Sequence, residues 1–210
     1  MLEFRGIEKS FGSEPLFSIA SQTLDKGIYW LQGPNGCGKT TLLRTIAGIL
    51  PVEGDILLQG HSLRNDAVGY RRLVAWADAE PLYPGFLTGE DLLNFYSDIL
   101  RPEPQLVGNL CERLGVRSWL TSRVAAWSSG MTKKIALLLA FLGRPALIVL
   151  DEPLITLDEA AISELIALIR EYHERYSTSF LLTSHQPLPV DQLPGTRQLE
   201  LREHSIHLVV

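Results

Sequence analysis

Cysteine is nearly absent. The 210 residues hold two, Cys37 and Cys111. Two thiols make no disulfide framework, and neither sits in a metal-ligand cluster. A basic excess is also missing: 19 Lys and Arg face 24 Asp and Glu, a net charge of -5. Nucleic acid is therefore not expected as a partner. No apolar run approaches the roughly 20 residues that cross a bilayer; the longest charge-free one in the helical region is Ile135 to Gly143. The opening MLEFRGIEKSF has charges at Glu3 and Arg5 and no apolar h-region, so no secretion signal is read. Repeats and low-complexity tracts are absent too. What remains is an ordinary soluble composition, 46% hydrophobic and 20% charged, long enough for one domain with a sizeable core. The expected location is the cytoplasm, with any membrane role running through a partner.

The first 30 residues read as short strands, LEFRGIEKSF, LFSIASQTL and GIYWLQG, broken at Gly12-Ser13. EGDILLQGH reads as another. From about 88 to 142 the pattern is helical. Thr88 with Asp91 makes a capping box, after which Leu92, Phe95, Tyr96 and Ile99 recur on one helix face. Pro102 and Pro104 end that helix, and Gly115 stops the next. ALIVLDEP and SFLLTSH read as buried parallel strands. Between them Ile162, Leu165, Ile166 and Ile169 mark an amphipathic helix. The tail RQLELREHSIHLVV alternates as edge strands would. The fold class expected is α/β: a P-loop NTPase core with a mainly parallel sheet, an N-terminal antiparallel β subdomain and an inserted α-helical subdomain. Residues 1–210 are taken as one domain, with about 80–134 inserted.

GPNGCGKT, Gly33 to Thr40, follows a strand and opens a helix, the setting of the phosphate-binding G-x-x-x-x-G-K-[ST] loop. Its glycines Gly33, Gly36 and Gly38 let backbone N–H groups turn onto phosphate oxygens, and the helix N-terminus adds positive charge. Lys39 can reach the β- and γ-phosphates, and the Thr40 hydroxyl can bind Mg²⁺. A plain glycine-rich turn would not require these flanks. Cys37 reads as a small residue beside a phosphate. At the end of LIVLDEP stand Asp151 and Glu152, where open α/β sheets bind ligands. Asp151 can hold Mg²⁺ through water, and Glu152 can polarise an attacking water. LLTSH ends another strand with His185, able to hydrogen-bond a γ-phosphate or that water.

With these residues in order, the chain resembles the ATP-binding-cassette (ABC) ATPases, the nucleotide-binding subunits of ABC transporters, over essentially its whole length. GPNGCGKTTLL resembles the family's Walker A, which adds Pro34, Asn35 and Thr41 to the ATP-binding residues. LIVLDEP resembles Walker B with Glu152 as catalytic glutamate. ITLD resembles the D-loop at Asp158, and LLTSH the switch strand with His185. Phe11 stands where the family places a ring that stacks on adenine. WSSGM, residues 127 to 131, falls where the family writes Leu-Ser-Gly-Gly-Gln, the signature that contacts ATP bound to the opposite subunit. Ser128 and Gly130 match; Trp127, Ser129 and Met131 depart. Were the backbone left-handed at Ser129, a serine would cost about 1 kcal/mol or more there. The Q-loop segment VAWADAEPLYP has no glutamine, and its metal-binding position falls at Ala79 or Glu80; Glu80 would offer a hard carboxylate, alanine nothing.

The resemblance implies ATP and Mg²⁺ as ligands, ATP hydrolysis, and a homodimer or heterodimer of ATPase subunits. It implies separate membrane-spanning chains as partners, at the inner face of the cell membrane; the apolar, aromatic EPLYPGFL is the expected docking segment, through Tyr83 or Phe86. Export is expected over import: the chain is short, carries a methionine after the signature glycine, and has an SHQPL that resembles the haem-export type of cytochrome c maturation. A second reading is a weakly hydrolysing regulatory half of a heterodimer. A soluble ABC ATPase of translation or DNA repair would bring a second cassette or a coiled coil, and a small-molecule P-loop kinase would leave the SSGM–LDEP–TSH order unexplained.

Overall fold

A computed structural model describes residues 1–12 and 14–209, and for Phe11 and Glu14 the backbone alone. In chain order its elements are β1 (Leu2–Phe11), β2 (Glu14–Leu24), β3 (Ile28–Gln32), α1 (Lys39–Ile46), β4 (Glu53–Leu58), β5 (His61–Ser62), α2 (Ala67–Arg72) and β6 (Val74–Ala77). There follow α3 (Gly89–Leu100), α4 (Pro104–Arg113), α5 (Ser129–Phe141), β7 (Leu147–Leu150), α6 (Glu159–Tyr176), β8 (Ser179–Thr183), β9 (Arg197–Arg202) and β10 (Ser205–Val209).

Two sheets result. One is antiparallel, in the order β2-β1-β4-β5; the other runs β10-β9-β3-β8-β7-β6, parallel except where β10 pairs with β9. Strand alternation divides the larger sheet between two cores. Leu147, Val149 and Leu181 face one core with α1 and the antiparallel sheet; Ile148, Leu150, Phe180 and Leu182 face the other with α3 to α6. Covering on both faces is why β7 is apolar throughout. Helix α5, buried from Ile135 to Phe141, is apolar all round because the second core surrounds it.

The tail differs from the expectation in one respect. Strand β10 is an edge, but β9 lies inside the sheet, parallel to β3. Its polar residues alternate with Leu199 and Leu201, which supply buried side chains to the core. The Thr88–Asp91 capping box closes in both directions, Asp91 N to Thr88 Oγ1 at 3.1 Å and Thr88 N to Asp91 Oδ2 at 2.8 Å. On the face read for α3, Leu92 is buried and Tyr96 packs against the core, but Phe95 and Ile99 are 61% and 63% exposed and Leu93 is buried in their stead. The helix packs toward α5, and Phe95 and Ile99 face water. Among the described residues no helix is long and apolar enough to cross a membrane.

Candidate functional site

The turn between β3 and α1 is built on glycines that tolerate no side chain. Gly33 has φ 152°, and a Cβ there would meet Cys37 Sγ and the Leu201 carbonyl at 2.8 Å. Gly38, at φ 102°, would press a Cβ to 2.7 Å from Leu16 Cγ. Gly38 is also the N-cap of α1 and lends it no side chain, so the first N–H groups of the helix point into the loop. Lys39 Nζ donates to the Gly33 and Pro34 carbonyls at 2.7 and 3.0 Å, which holds its ammonium over the loop.

Opposite stand the ends of β7 and β8. A cleft of about 480 Å³ is bordered by Asn35, Gly36, Gly38, Lys39, Thr40 and Thr41 on one side and Asp151, Glu152 and His185 on the other, with Leu16 at its wall. Asp151 is 1% exposed and Glu152 is 7% exposed. Thr183 organises both: its hydroxyl accepts from Glu152 N at 3.0 Å and donates to Asp151 Oδ1 at 2.8 Å. Glu152 is left-handed, φ 47°, a conformation that costs a non-glycine residue on the order of 1–3 kcal/mol and clusters at working sites. Its Oε2 accepts from His185 N at 2.9 Å, and the His185 ring lies 3.6 Å from Oε1, an ion-pair rather than a hydrogen-bond distance.

Asp151 Oδ2 is buried and meets no hydrogen-bond donor among the described residues. An orphaned buried carboxylate oxygen is one that a hard divalent cation satisfies, and Asp151 borders the same cleft as the Thr40 hydroxyl. The donor set of Asp151 and Thr40 therefore fits Mg²⁺. Lys133 on α5, 1% exposed, approaches Asp151 from behind and donates to three carbonyls: Asp78 and Ala79 at 2.8 Å each, Asp151 at 3.2 Å. Burial draws its ammonium down to about 8, against the pull of the Asp151, Asp78, Glu152 and Glu80 carboxylates.

The remaining residues singled out in the sequence lie apart from the cleft. Pro34 is exposed on the loop, and Cys37 lines a neighbouring depression with Leu16, Leu201 and His204. The Phe11 side chain lies outside the described residues. Glu80 is exposed at the end of the β6 segment, its N–H on Asp78 Oδ1 at 3.3 Å, and it does not border the cleft. Ser128 and Ser129 are exposed at the start of α5, with Gly130 and Met131 half-buried behind them. Ser128 caps α5 by accepting from Met131 N at 3.2 Å. Ser129 is the first residue of that helix and has no positive φ, so the strain considered for a serine there does not arise. Gly130 packs on the loop before α6, where a Cβ would come within 2.7 Å of the Thr156 carbonyl. Asp158 caps α6 through Ala161 N at 2.8 Å and pairs with Lys134 at 2.7 Å, which holds its carboxyl below the usual range.

Sequence reasoning passed over Leu16, Thr183, Thr156 and Lys133. Thr183 lies inside LLTSH, but a threonine at a strand end carries no local sign of a buried bridging hydroxyl. Lys133 followed the signature in plain view, but nothing local marks a lysine on an apolar helix as buried. Leu16 and Thr156 carry no motif signal.

The ABC transporter family model matches residues 19–155. The cytochrome c biogenesis ATP-binding export protein CcmA of Legionella pneumophila (strain Lens) is 32% identical over 195 residues, covering 91% of this chain and 96% of its own. A solved ATP-binding subunit of an ABC transporter superposes with a TM-score of 0.87 at 24% identity, over 99% of this chain and 90% of that one. A second solved cassette, dimeric and in a post-hydrolysis state bound to ADP and Pi, gives 0.81 at 16% identity, over 99% and 97%. At these identities the two structures speak for the fold alone, a mixed α/β ATPase fold shared with this chain. The matched family and the relative go further: the chain belongs to the ABC transporter family, as one of its ATP-binding, ATP-hydrolysing domains.

Proposed function

We propose that this chain is the ATPase subunit of a membrane exporter and works as a pair of cassettes that closes on ATP. The observation that carries the reading is the convergence in one cleft of Lys39, Thr40, the orphaned Asp151 oxygen, and Glu152 held by Thr183 and His185. The loop N–H groups and Lys39 bind the phosphates. Thr40 and Asp151 hold Mg²⁺, which when bound supplies positive charge to the phosphate oxygens. Glu152 orients and polarises the attacking water, its carboxylate fixed by the His185 N–H, and the exposed His185 ring is free to swing toward the γ-phosphate. Ser128 to Met131 meet the ATP of the opposite subunit. Residues 1–210 act as one ATPase domain, with about 80–134 as its inserted helical part.

The membrane-spanning partners are separate chains, and the subunit works at the inner face of the membrane. Exposed apolar side chains support this: Leu82 is 94% exposed and Phe86 74% in the segment before α3, and Phe95 and Ile99 are exposed on α3. Export, in the service of cytochrome c biogenesis, is the direction favoured by the relative's stated role.

The test is size-exclusion chromatography of Glu152→Gln protein with and without ATP and Mg²⁺. The reading expects an ATP-dependent shift from monomer to dimer and loss of turnover. A monomer that still binds ATP would point instead to an unlike partner cassette, and full turnover would overturn the role of Glu152.

A further inference from the structure

The Lys133 ammonium is out of place by stability alone. It is 1% exposed, and no carboxylate lies within ion-pair distance of it among the described residues. A methionine would fill the same space without stripping water from a charge. What the lysine offers, and methionine would not, is three donors at one point, and each has a backbone carbonyl to meet.

Those carbonyls belong to two strand ends. Asp78 and Ala79 follow β6, and Asp151 follows β7. The ladder between the strands ends at Ala77 and Leu150, apart from Asp151 N donating to Ala77 O at 2.9 Å. Beyond that point Lys133 replaces the ladder. Asp78 is gripped from a second side as well: its carboxylate takes Arg44 of α1 at 2.9 and 3.2 Å. Arg44 stands five residues after Lys39, and Lys133 three after Gly130. Segment 78–80 is thus tied to the phosphate-binding helix by one cation and to the signature helix and Asp151 by another.

We infer that Lys133 is a positioning residue of the hydrolytic centre, fixing Asp151 and segment 78–79 in one frame with the signature helix through three backbone carbonyls. The inference rests on the proposed roles of Asp151 and Glu152. Lys133 does not touch the cleft itself; it sets the backbone from which Asp151 and Glu152 extend. Removing its donors leaves the phosphate loop intact, so nucleotide binding is retained while turnover falls.

The experiment uses the full chain, with Lys133→Met and Lys133→Gln beside the unaltered protein and Glu152→Gln as control. Steady-state ATPase kinetics, ATP affinity by calorimetry and thermal melting are measured on each. The expected result is a tenfold or greater loss of kcat in Lys133→Met at a KM and ATP affinity within threefold of the parent. Lys133→Gln, which keeps two donors, falls between the two. Parental kcat in Lys133→Met overturns the inference, as does a joint loss of kcat, ATP affinity and melting temperature, which marks Lys133 as packing only. Should Lys133→Met not fold, Lys133→Gln decides: lowered kcat at unchanged KM upholds the inference, and kcat at the parental value or lost together with ATP affinity overturns it. An inactive Glu152→Gln beside a fully active Lys133→Met removes the Lys133 inference alone. An active Glu152→Gln removes the hydrolytic centre it rests on.

Discussion

Gly130 and Thr156 meet without room for a methyl group: a Cβ on Gly130 would stand 2.7 Å from the Thr156 carbonyl oxygen. Thr156 is itself left-handed, φ 66°, so the obstacle is a strained backbone and not a pliable side chain. The signature helix and the loop ending at Asp158 are thereby set in one mutual position. Gly130→Ala is expected to push the two apart and lower ATPase activity tenfold or more, while ATP binding by the chain's own phosphate loop stays within threefold. Ser129→Gly is the contrast. Ser129 is exposed and helical, so the change gains no strain relief, and a melting curve within about 1 kcal/mol of the parent is expected.

Thr183→Val keeps the shape of the buried side chain and removes its hydroxyl. Glu152 N loses its acceptor and Asp151 Oδ1 its donor, and both are buried. Leaving such groups unpaired costs about 1–3 kcal/mol each, so melting should fall by several degrees. Asp151 is then free to turn, and the Mg²⁺ concentration giving half-maximal ATPase activity should rise. An unchanged Mg²⁺ titration would count against Asp151 as a ligand residue.

The parts of this site that were legible in the sequence are those fixed by local chemistry. The phosphate loop needs glycine at left-handed positions, and Gly33, Gly36 and Gly38 occupy them. Asp151 and Glu152 end an apolar strand, and His185 follows another. The Thr88 cap and the Gly115 stop were equally local. What escaped was the tertiary detail. Nothing near Thr183 in the chain tells that its hydroxyl will bridge residues 31 and 32 positions away. The α3 periodicity put Leu92 and Tyr96 on the packed face, but that Leu93 joins them while Phe95 and Ile99 stay exposed is decided by where α5 lies. Strand β9 read as an edge because its alternation is that of a half-exposed strand, yet pairing with β3 and β10 places it inside.

Asp158 separates a cap from an ion pair. Its Oδ1 accepts from Ala161 N at 2.8 Å, and Oδ2 meets Lys134 at 2.7 Å. Asp158→Asn retains the cap, and since the ion pair is largely exposed on the aspartate side, its loss should be nearly silent in melting. Asp158→Ala loses both and should cost about 1 kcal/mol, chiefly the cap. The depressed folded pKa of Asp158 adds the sign: the contribution is present above its unfolded value and fades as pH falls through the lower folded one. The difference between parent and Asp158→Ala should therefore narrow in acid.

The segment around Tyr83 and Phe86 divides into two kinds of residue. Tyr83 packs against the helical core, and burial pushes its hydroxyl up from the ordinary tyrosine range, so a charge there attacks the fold. Tyr83→Glu should destabilise the protein by several kcal/mol through an unpaired buried charge and take ATPase activity with it. Phe86 is 74% exposed and Leu82 94% exposed; glutamate at either stays in water. Phe86→Glu and Leu82→Glu are expected to keep the parental melting temperature and soluble ATPase activity and to lose co-purification with the membrane subunits and transport. Transport at the parental rate in both would move the docking surface elsewhere, whereas loss of soluble ATPase activity would make the segment part of the cassette and not a face for a partner.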